Sequence, residues 1–459
     1  MSRKRILVWL RRALRVEDNV PLWHAANEAD EVIPLVCLRD EPQYHHESPR
    51  RLFVWNTLID LDANLRSRGA RLYVIWGKPE DAIPAAALTF GAVSVYVSRA
   101  YDAPTVTRDG LIARALESSG VGWESFKNAV IFEGAEIQTS GGTPFKVFTP
   151  YKRAWFGCSS EIPPLLPPIT SLRSPDSPQF MLNSSIPRWV RTNGVGGESE
   201  ATIRLNQFVK AKMSEYRRTR DMLAIDGTSR LSPHIAHGTI SPRQVYWRVR
   251  VSLSSDSLHA DDGAGTFLGE LVWREFYYQV LSNFPGVLDK EFKREFQALR
   301  WNDDPGSFDA WCRGMTGFPL VDAAMRQLNA EGWMHNRARM IVASFLTKDL
   351  HIDWRLGEQY FRVHLIDADV ASNNGGWQWA AGTGTDAAPY FRIFNPAAQS
   401  KRYDPDGEYI RKYVPELRSV AAPAIHQPGA SSLSYPLPLV DHAVEREVAL
   451  TMYRKGGKK

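Results

Sequence analysis

No stretch of 18 apolar residues occurs in this 459-residue chain, so no segment reads as a membrane-spanning helix. Cysteine is scarce. Cys37, Cys158 and Cys312 lie far apart, which leaves neither a disulfide framework nor the paired spacing of a zinc site. Charge of one sign is not in excess: 56 Lys and Arg against 51 Asp and Glu leave a net +5. With a pI near 9.0, that balance permits a nucleic-acid partner without demanding one. Glycine fingerprints are missing too. Leu10 runs straight into Arg11-Arg12-Ala13-Leu14-Arg15, and Gly263-Ala264-Gly265 with Gly269 follows no strand, so the dinucleotide signature fails. No internal repeat is present, which excludes solenoids and propellers. The apolar run Ile6–Leu10 is too short for a signal peptide, and a cytosolic protein is expected.

Tryptophan, by contrast, is abundant: 15 in all. The densest region is Asn373-Asn374-Gly375-Gly376-Trp377-Gln378-Trp379, preceded by Asp367-Ala368-Asp369, with Trp301 and Trp354 in the same half of the chain. Two indoles flanking a Gln, after a flexible glycine pair and two Asn, read as a site. Buried indole N–H groups need partners. An arranged set of Trp stacks on flat ligands or relays single electrons.

Along the chain, strand-like runs fall at Ile6–Leu10, Val32–Leu38, Leu72–Trp76, Val93–Val97 and Val121–Ser125. Helical patterns lie between them at Leu52–Arg66, Ala82–Leu88 and Asp109–Leu116. This alternation predicts an α/β domain with a parallel sheet over residues 1–130. Clusters at Ile162–Pro168, Ser174–Pro178 and Asn193–Gly197 predict an irregular surface connector over 131–200. An all-α domain is expected over 201–425, with helices at Ala201–Met222, Pro242–Leu253, Gly265–Leu281, Pro319–Glu331, Asn336–Thr347 and Trp354–Ile366. Residues 426–459 form a tail that ends in a helix over Val440–Met452 and a basic Arg454–Lys459.

Four segments then resemble, in order, the DNA photolyase/cryptochrome family. They are Tyr216-x-x-x-Arg220 with Gly227-Thr228-Ser229-Arg230-Leu231-Ser232-Pro233 and Gly238–Arg243; Glu270-Leu271-Val272-Trp273-Arg274-Glu275-Phe276; Gly317–Met340 through Trp333-Met334-His335-Asn336-Arg337-Ala338-Arg339-Met340; and Asp353-Trp354-Arg355 through Phe391-Arg392-Ile393-Phe394-Asn395-Pro396. Gly142–Pro150 adds a weaker match. The resemblance spans nearly the whole chain and is strongest to bacterial class I cyclobutane pyrimidine dimer photolyases. It implies a Rossmann-like N-terminal domain, a helical FAD-binding domain, and light-driven splitting of pyrimidine dimers in DNA. A cryptochrome-type blue-light photoreceptor is the first alternative; a flavin- or nucleotide-binding module that uses Trp only for stacking is the second.

The resemblance also implies roles. FAD is held by Tyr216, Thr228, Ser229, Arg230, Leu231, Ser232, Phe267, Glu270, Arg339, Asp367, Ala368, Asp369 and Asn373, with Asn373 facing the flavin N5. Glu270, Trp273, Asn336, Met340 and Trp379 receive the dimer. Trp377, Trp354 and Trp301 relay electrons. Arg220, Trp273, Arg274, Asn336, Arg337, Trp379, Arg392 and Gln399 contact DNA. His335 is read as structural, because Asn336 and Met340 match dimer-repair enzymes. Folate-binding relatives carry an Asn-Glu pair where this chain has Ala103-Pro104 after Tyr101-Asp102. The antenna is therefore open between 8-hydroxy-5-deazaflavin, methenyltetrahydrofolate held differently, and none. The expected partner is DNA containing pyrimidine dimers, and no membrane. A monomer is expected, cytoplasmic and nucleoid-associated when bound to DNA.

Overall fold

Three consecutive residues near the N-terminus, Ile6, Leu7 and Val8, are fully buried, as expected for a central strand covered on both faces. They belong to β1 (Arg5–Trp9), followed by β2 (Glu31–Leu38), β3 (Tyr73–Trp76), β4 (Ser94–Ser98) and β5 (Gly122–Phe126). All pairings are parallel, in the order β3-β2-β1-β4-β5. Helices Val20–Glu28, Pro49–Arg66, Pro79–Phe90 and Ala103–Glu117 connect the strands. The period-two alternation of a strand sends β1 into two cores. Ile6 and Val8 pack with Leu58, Leu61 and Leu65, while Leu7 and Trp9 pack with Ile83, Phe90 and Ile112.

The computed structural model describes residues 3–39, 47–182, 186–191, 195–253, 262–387, 389, 391–429 and 434–456. Asn193 and Gly194 of the expected connector cluster lie outside the described residues, as do Gly457, Lys458 and Lys459 of the basic tail. Two units are formed. One comprises Met1–Gly142, Lys152–Ser214 and Ser229–Ser282; the other comprises Thr143–Tyr151, Glu215–Thr228 and Asn283–Lys459. The first holds the sheet and also the helices Gly197–Ala211, Ser232–His237 and Pro242–Val251. The second is mostly helical, around a core that includes Trp311, Phe318, Phe345, Trp354 and Trp377.

Several local expectations are corrected. The single helix expected over Ala201–Met222 is broken into Gly197–Ala211, a short 3-10 turn at Met213–Glu215 and Tyr216–Thr219. The irregular connector contains a helix, Phe148–Gly157, and is not merely a surface wrap. Its Ile169, Leu172 and Leu182 are buried in the same core as Ile6 and Val8. The Leu172 N–H donates to Arg68 O at 2.6 Å, and the Val32 N–H to Arg173 O at 2.8 Å. Residues with few apolar neighbours in sequence thus find them across the chain.

Two carboxyl groups in the first unit carry a pH prediction. Glu198 and Glu275 are both pushed up from 4.5 to about 7, chiefly by burial. A carboxyl whose folded value is raised adds stability below its unfolded value and loses it as pH rises through the folded one. Stability measured by denaturant midpoint should therefore fall between about pH 5 and 7 through these groups. In Glu198→Gln and Glu275→Gln that slope should flatten. An unchanged slope in both variants would contradict the assignment.

Candidate functional site

In the first unit, the helix Gly263–Asn283 presents Phe267, Glu270, Trp273 and Arg274. Its start is fixed by a close approach: a Cβ on Gly263 would lie 1.8 Å from Met213 O. Phe267 is buried against Phe208, ring centroids 4.5 Å apart. Trp273 is half-buried and packs beside Tyr277 at 5.6 Å with planes 35° apart. Glu270 is also half-buried. Arg274 donates to Ala129 O (2.7 Å) and to the Tyr278 hydroxyl (3.1 Å), with its guanidinium 4.4 Å from the Tyr278 ring centroid. Next to it sits Glu275, which sequence reasoning missed. Its buried carboxylate accepts from Ile131 N, Phe132 N and Trp155 Nε1 at 2.7, 2.7 and 2.8 Å. Only its place in an apolar helix pattern hinted at this.

Ser229, Arg230, Leu231 and Ser232 lead into the helix Ser232–His237. Arg230 has φ 50°, a left-handed backbone costing about 1–3 kcal/mol, and such strain gathers at ligand sites. The Leu231 N–H donates to Ser229 Oγ at 3.3 Å. Beyond β4, Asp102 caps the helix Ala103–Glu117 by accepting from Thr105 N. The residues standing where folate binders have Asn-Glu are therefore a helix's first turn.

In the second unit, Tyr216 is buried, and the Arg220 guanidinium lies 6.0 Å from its ring centroid. Thr228 closes this segment. The helix Asn336–Lys348 is capped by His335, whose Nδ1 accepts from Arg337 N at 3.1 Å. Asn336 and Met340 lie one turn apart, Nδ2 to Sδ 4.0 Å. Met340, Ala368 and Trp379 are partly buried against the core. Arg337 pairs with Asp221 at 2.8 Å and stacks on Tyr403, 4.5 Å from its centroid. Arg392 lies 5.9 Å from the Phe394 ring centroid, and its carbonyl accepts from buried Lys348 Nζ at 3.4 Å.

The segment around Asn373 is a helix, Val370–Ala381, which corrects the flexible glycine pair. Asp369 caps its start, accepting from Ser372 N and Oγ at 2.9 and 2.8 Å, and Gly382 at φ 82° ends it. Caps and packing override two glycines that each disfavour helix by about 1 kcal/mol. Asn373 Nδ2 donates to Glu358 O (3.0 Å) and Glu358 Oε1 (2.8 Å). Both amide hydrogens are thus spent on one residue, and the amide oxygen is directed away from it. Burial raises the Glu358 carboxyl above its ordinary value. Arg339 pairs with Asp367 at 2.8 Å and also donates to Met334 O at 2.8 Å. Arg339 is thus ion-paired with Asp367, while Asp369 serves as a cap.

Trp377 and Trp354 are buried, and Trp301 is half-buried. The Trp377 ring presses on Gly357, one turn after Trp354 on the helix Trp354–His364; a Cβ there would meet Trp377 Cη2 at 2.1 Å. That contact places the two indoles at one helix face. Trp377 also meets Phe361 edge-on at 5.0 Å and Trp311 at 6.0 Å. Trp354 Nε1 donates to Glu291 at 3.2 Å. Next to Trp301, the Asn302 N–H donates to His351 O at 2.7 Å. Glu291, Glu358 and Gly357 were not found from sequence, because their partners lie far along the chain or carry no motif.

These residues fit FAD. Asp367 Oδ1 is a buried acceptor with no hydrogen-bond partner among the described residues. Leaving such an atom unpaired costs about 1–3 kcal/mol, and a ligand rich in N–H and O–H donors meets that need.

Comparison with known proteins agrees. A family model described as the FAD binding domain of DNA photolyase matches residues 267–455, and a DNA photolyase model matches residues 6–169. A deoxyribodipyrimidine photo-lyase of Vibrio cholerae is 40% identical over 467 residues, covering 98% of this chain and 99% of that protein. Its Escherichia coli namesake is 38% identical, covering 98% and 99%. Among solved structures, a bacterial class III photolyase from Agrobacterium tumefaciens superposes with TM-score 0.90 at 37% identity, covering 100% of this chain and 99% of that one. A Synechocystis cryptochrome gives 0.84 at 29%, covering 98% and 100%. Matched by both family models and by relatives aligned from end to end, the chain belongs to the DNA photolyase family.

Proposed function

We propose that this protein is a light-driven deoxyribodipyrimidine photo-lyase that uses FAD to split cyclobutane pyrimidine dimers in DNA. The observation that carries the reading is full-length likeness to proteins of that name, and the unpaired Asp367 oxygen in the Asp367–Asn373 segment supports it. FAD, when bound, supplies the light-driven one-electron chemistry. Tyr216, Thr228, Ser229, Arg230, Leu231, Ser232, Phe267, Glu270, Arg339, Asp367, Ala368, Asp369 and Asn373 hold it on this reading. Glu358 fixes the Asn373 amide so that its oxygen meets a donor.

Glu270 hydrogen-bonds or protonates a pyrimidine carbonyl oxygen, and Asn336 bonds a second pyrimidine edge. Trp273 and Trp379 offer flat apolar walls to bases that have left the stack, and Met340 an adaptable contact. Arg220, Arg392 and Gln399 grip the DNA backbone, largely without regard to sequence. Arg274 and Arg337 act from fixed positions, since each guanidinium is already anchored. Trp377, Trp354 and Trp301 relay electrons. The antenna stays open between a deazaflavin, a folate held differently and none, and the absorption spectrum of the purified protein decides among them. The protein is proposed to act as a cytoplasmic monomer; no described helix is long and apolar enough to cross a membrane.

The test is blue-light repair of a thymine-dimer oligonucleotide by dithionite-reduced protein, with a dark control. Light-dependent recovery of thymines is expected. Bound flavin without repair, beside a working photolyase, would favour the cryptochrome reading. A second expected result concerns the relay: Trp354→Phe should slow photoreduction of oxidised FAD by at least about tenfold, because longer electron hops lose to charge return. Repair by protein already reduced should be spared. Equal loss of both would contradict the assignment.

A further inference from the structure

We infer that Glu291 is an electrostatic positioning residue for Trp354, holding its indole N–H and favouring positive charge on its ring; the inference rests on the relay reading of Trp377, Trp354 and Trp301.

Three tryptophans, Trp155, Trp311 and Trp354, are among the largest fully buried side chains. Each satisfies its N–H differently. Trp311 donates to a backbone carbonyl, Val342 O, at 3.1 Å. Trp155 donates to Glu275, a carboxylate that also holds two backbone N–H groups and so has a structural use. Trp354 donates to Glu291 Oε1, and the other oxygen of that carboxylate binds Arg355 at 2.9 Å. Glu291 is only 5% exposed. Burying a carboxylate is expensive, and a neutral carbonyl would satisfy an indole equally well, as it does for Trp311. The charge of Glu291 is matched by Arg355, and it also stands beside the Trp354 indole.

Arg355 lies with its guanidinium carbon 4.8 Å from the Trp354 ring centroid, and it pairs with both Glu291 and Asp353. These two carboxylates and one guanidinium sum to −1. In the relay step, one electron would leave Trp354 for an oxidised Trp377. The N–H proton stays on Trp354 and no covalent bond changes. The positive charge then sits beside a carboxylate in a partly desolvated setting, where charge attraction is several times its strength in water. The hydrogen bond to Glu291 becomes charge-assisted at both ends and tightens.

The test uses full-length, FAD-loaded protein and two variants of opposite sign. Glu291→Gln keeps an acceptor for the indole but removes the charge; Arg355→Met removes the guanidinium and leaves the carboxylate. Photoreduction of oxidised FAD should slow by about tenfold in Glu291→Gln and should hold or quicken in Arg355→Met. Repair by prereduced protein should be unchanged in both. The indole N–H band of Trp354 in ultraviolet resonance Raman, assigned by difference with Trp354→Phe, should persist in Glu291→Gln. It reports the hydrogen bond without any activity. A fall of photoreduction in both variants would mean a packing role and overturn the inference. So would unchanged photoreduction in Glu291→Gln where Trp354→Phe slows it, leaving the relay reading intact. If Trp354→Phe photoreduces normally, the relay reading itself fails, and the inference with it.

Discussion

Glu275→Ala should be among the most damaging single substitutions in this protein. Its side chain is completely enclosed, and it accepts from Ile131 N, Phe132 N and Trp155 Nε1. Removing the carboxylate leaves three buried donors without an acceptor. At about 1–3 kcal/mol for each unpaired group, the loss is on the order of 5 kcal/mol, a large share of the stability of an ordinary domain. A neutral Gln keeps one acceptor oxygen and should cost about half as much. The damage is not only global. Glu275 ties the segment at 131–132, and Trp155 of the helix Phe148–Gly157, to the helix that carries Phe267, Glu270, Trp273 and Arg274. Flavin content should therefore fall together with the urea midpoint. Unfolding within about 1 kcal/mol of the parent would show that water replaces the carboxylate, and would sink the prediction.

Gly357→Ala pits two effects of known sign against each other. Alanine favours a helix interior over glycine by about 1 kcal/mol, so an exposed site would gain stability. At Gly357, however, the new Cβ would stand 2.1 and 2.5 Å from two ring atoms of Trp377 and 2.7 Å from Leu346 Cδ2. The Trp377 ring is rigid and buried, held edge-on by Phe361 and Trp311. It cannot rotate away without disturbing them. Overpacking of this kind costs about 1–3 kcal/mol and at so short a distance the upper end is expected, so packing wins and the variant is destabilised by about 2 kcal/mol. Because Trp377 must move, photoreduction should fall more steeply than repair by prereduced protein. A variant that is more stable than the parent would show that the helix Trp354–His364 shifts freely and that the contact does not set the position of Trp377.

Legibility in the sequence varies from residue to residue. β1 was readable because a run such as Ile6-Leu7-Val8 between turn residues suits a strand buried on both faces, whatever it packs against. The bounds of Pro319–Glu331 and the start at Asn336 were readable because Pro, the glycine after Glu331 and the apolar period punctuate a helix locally. The family and FAD were readable, and site residues could be nominated, because four motifs occur in order. Misjudged positions share one trait: long-range packing decided them. Gly375 and Gly376 are helical since Asp369 and the core hold the helix against their propensity. Ile169, Leu172 and Leu182 sit among loop-forming prolines yet fill the core under β1.

Local periodicity and ordered motifs were enough to specify the parallel sheet, the helical second half and the membership of a flavin-dependent repair family. Which acid serves which partner was settled only by folding: Glu275 for the 131–132 backbone, Glu291 for Trp354, Glu358 for Asn373. A carboxylate looks the same in sequence whether solvated or buried. Its role depends on donors brought to it from up to 144 residues away, and that proximity exists only once the chain has folded.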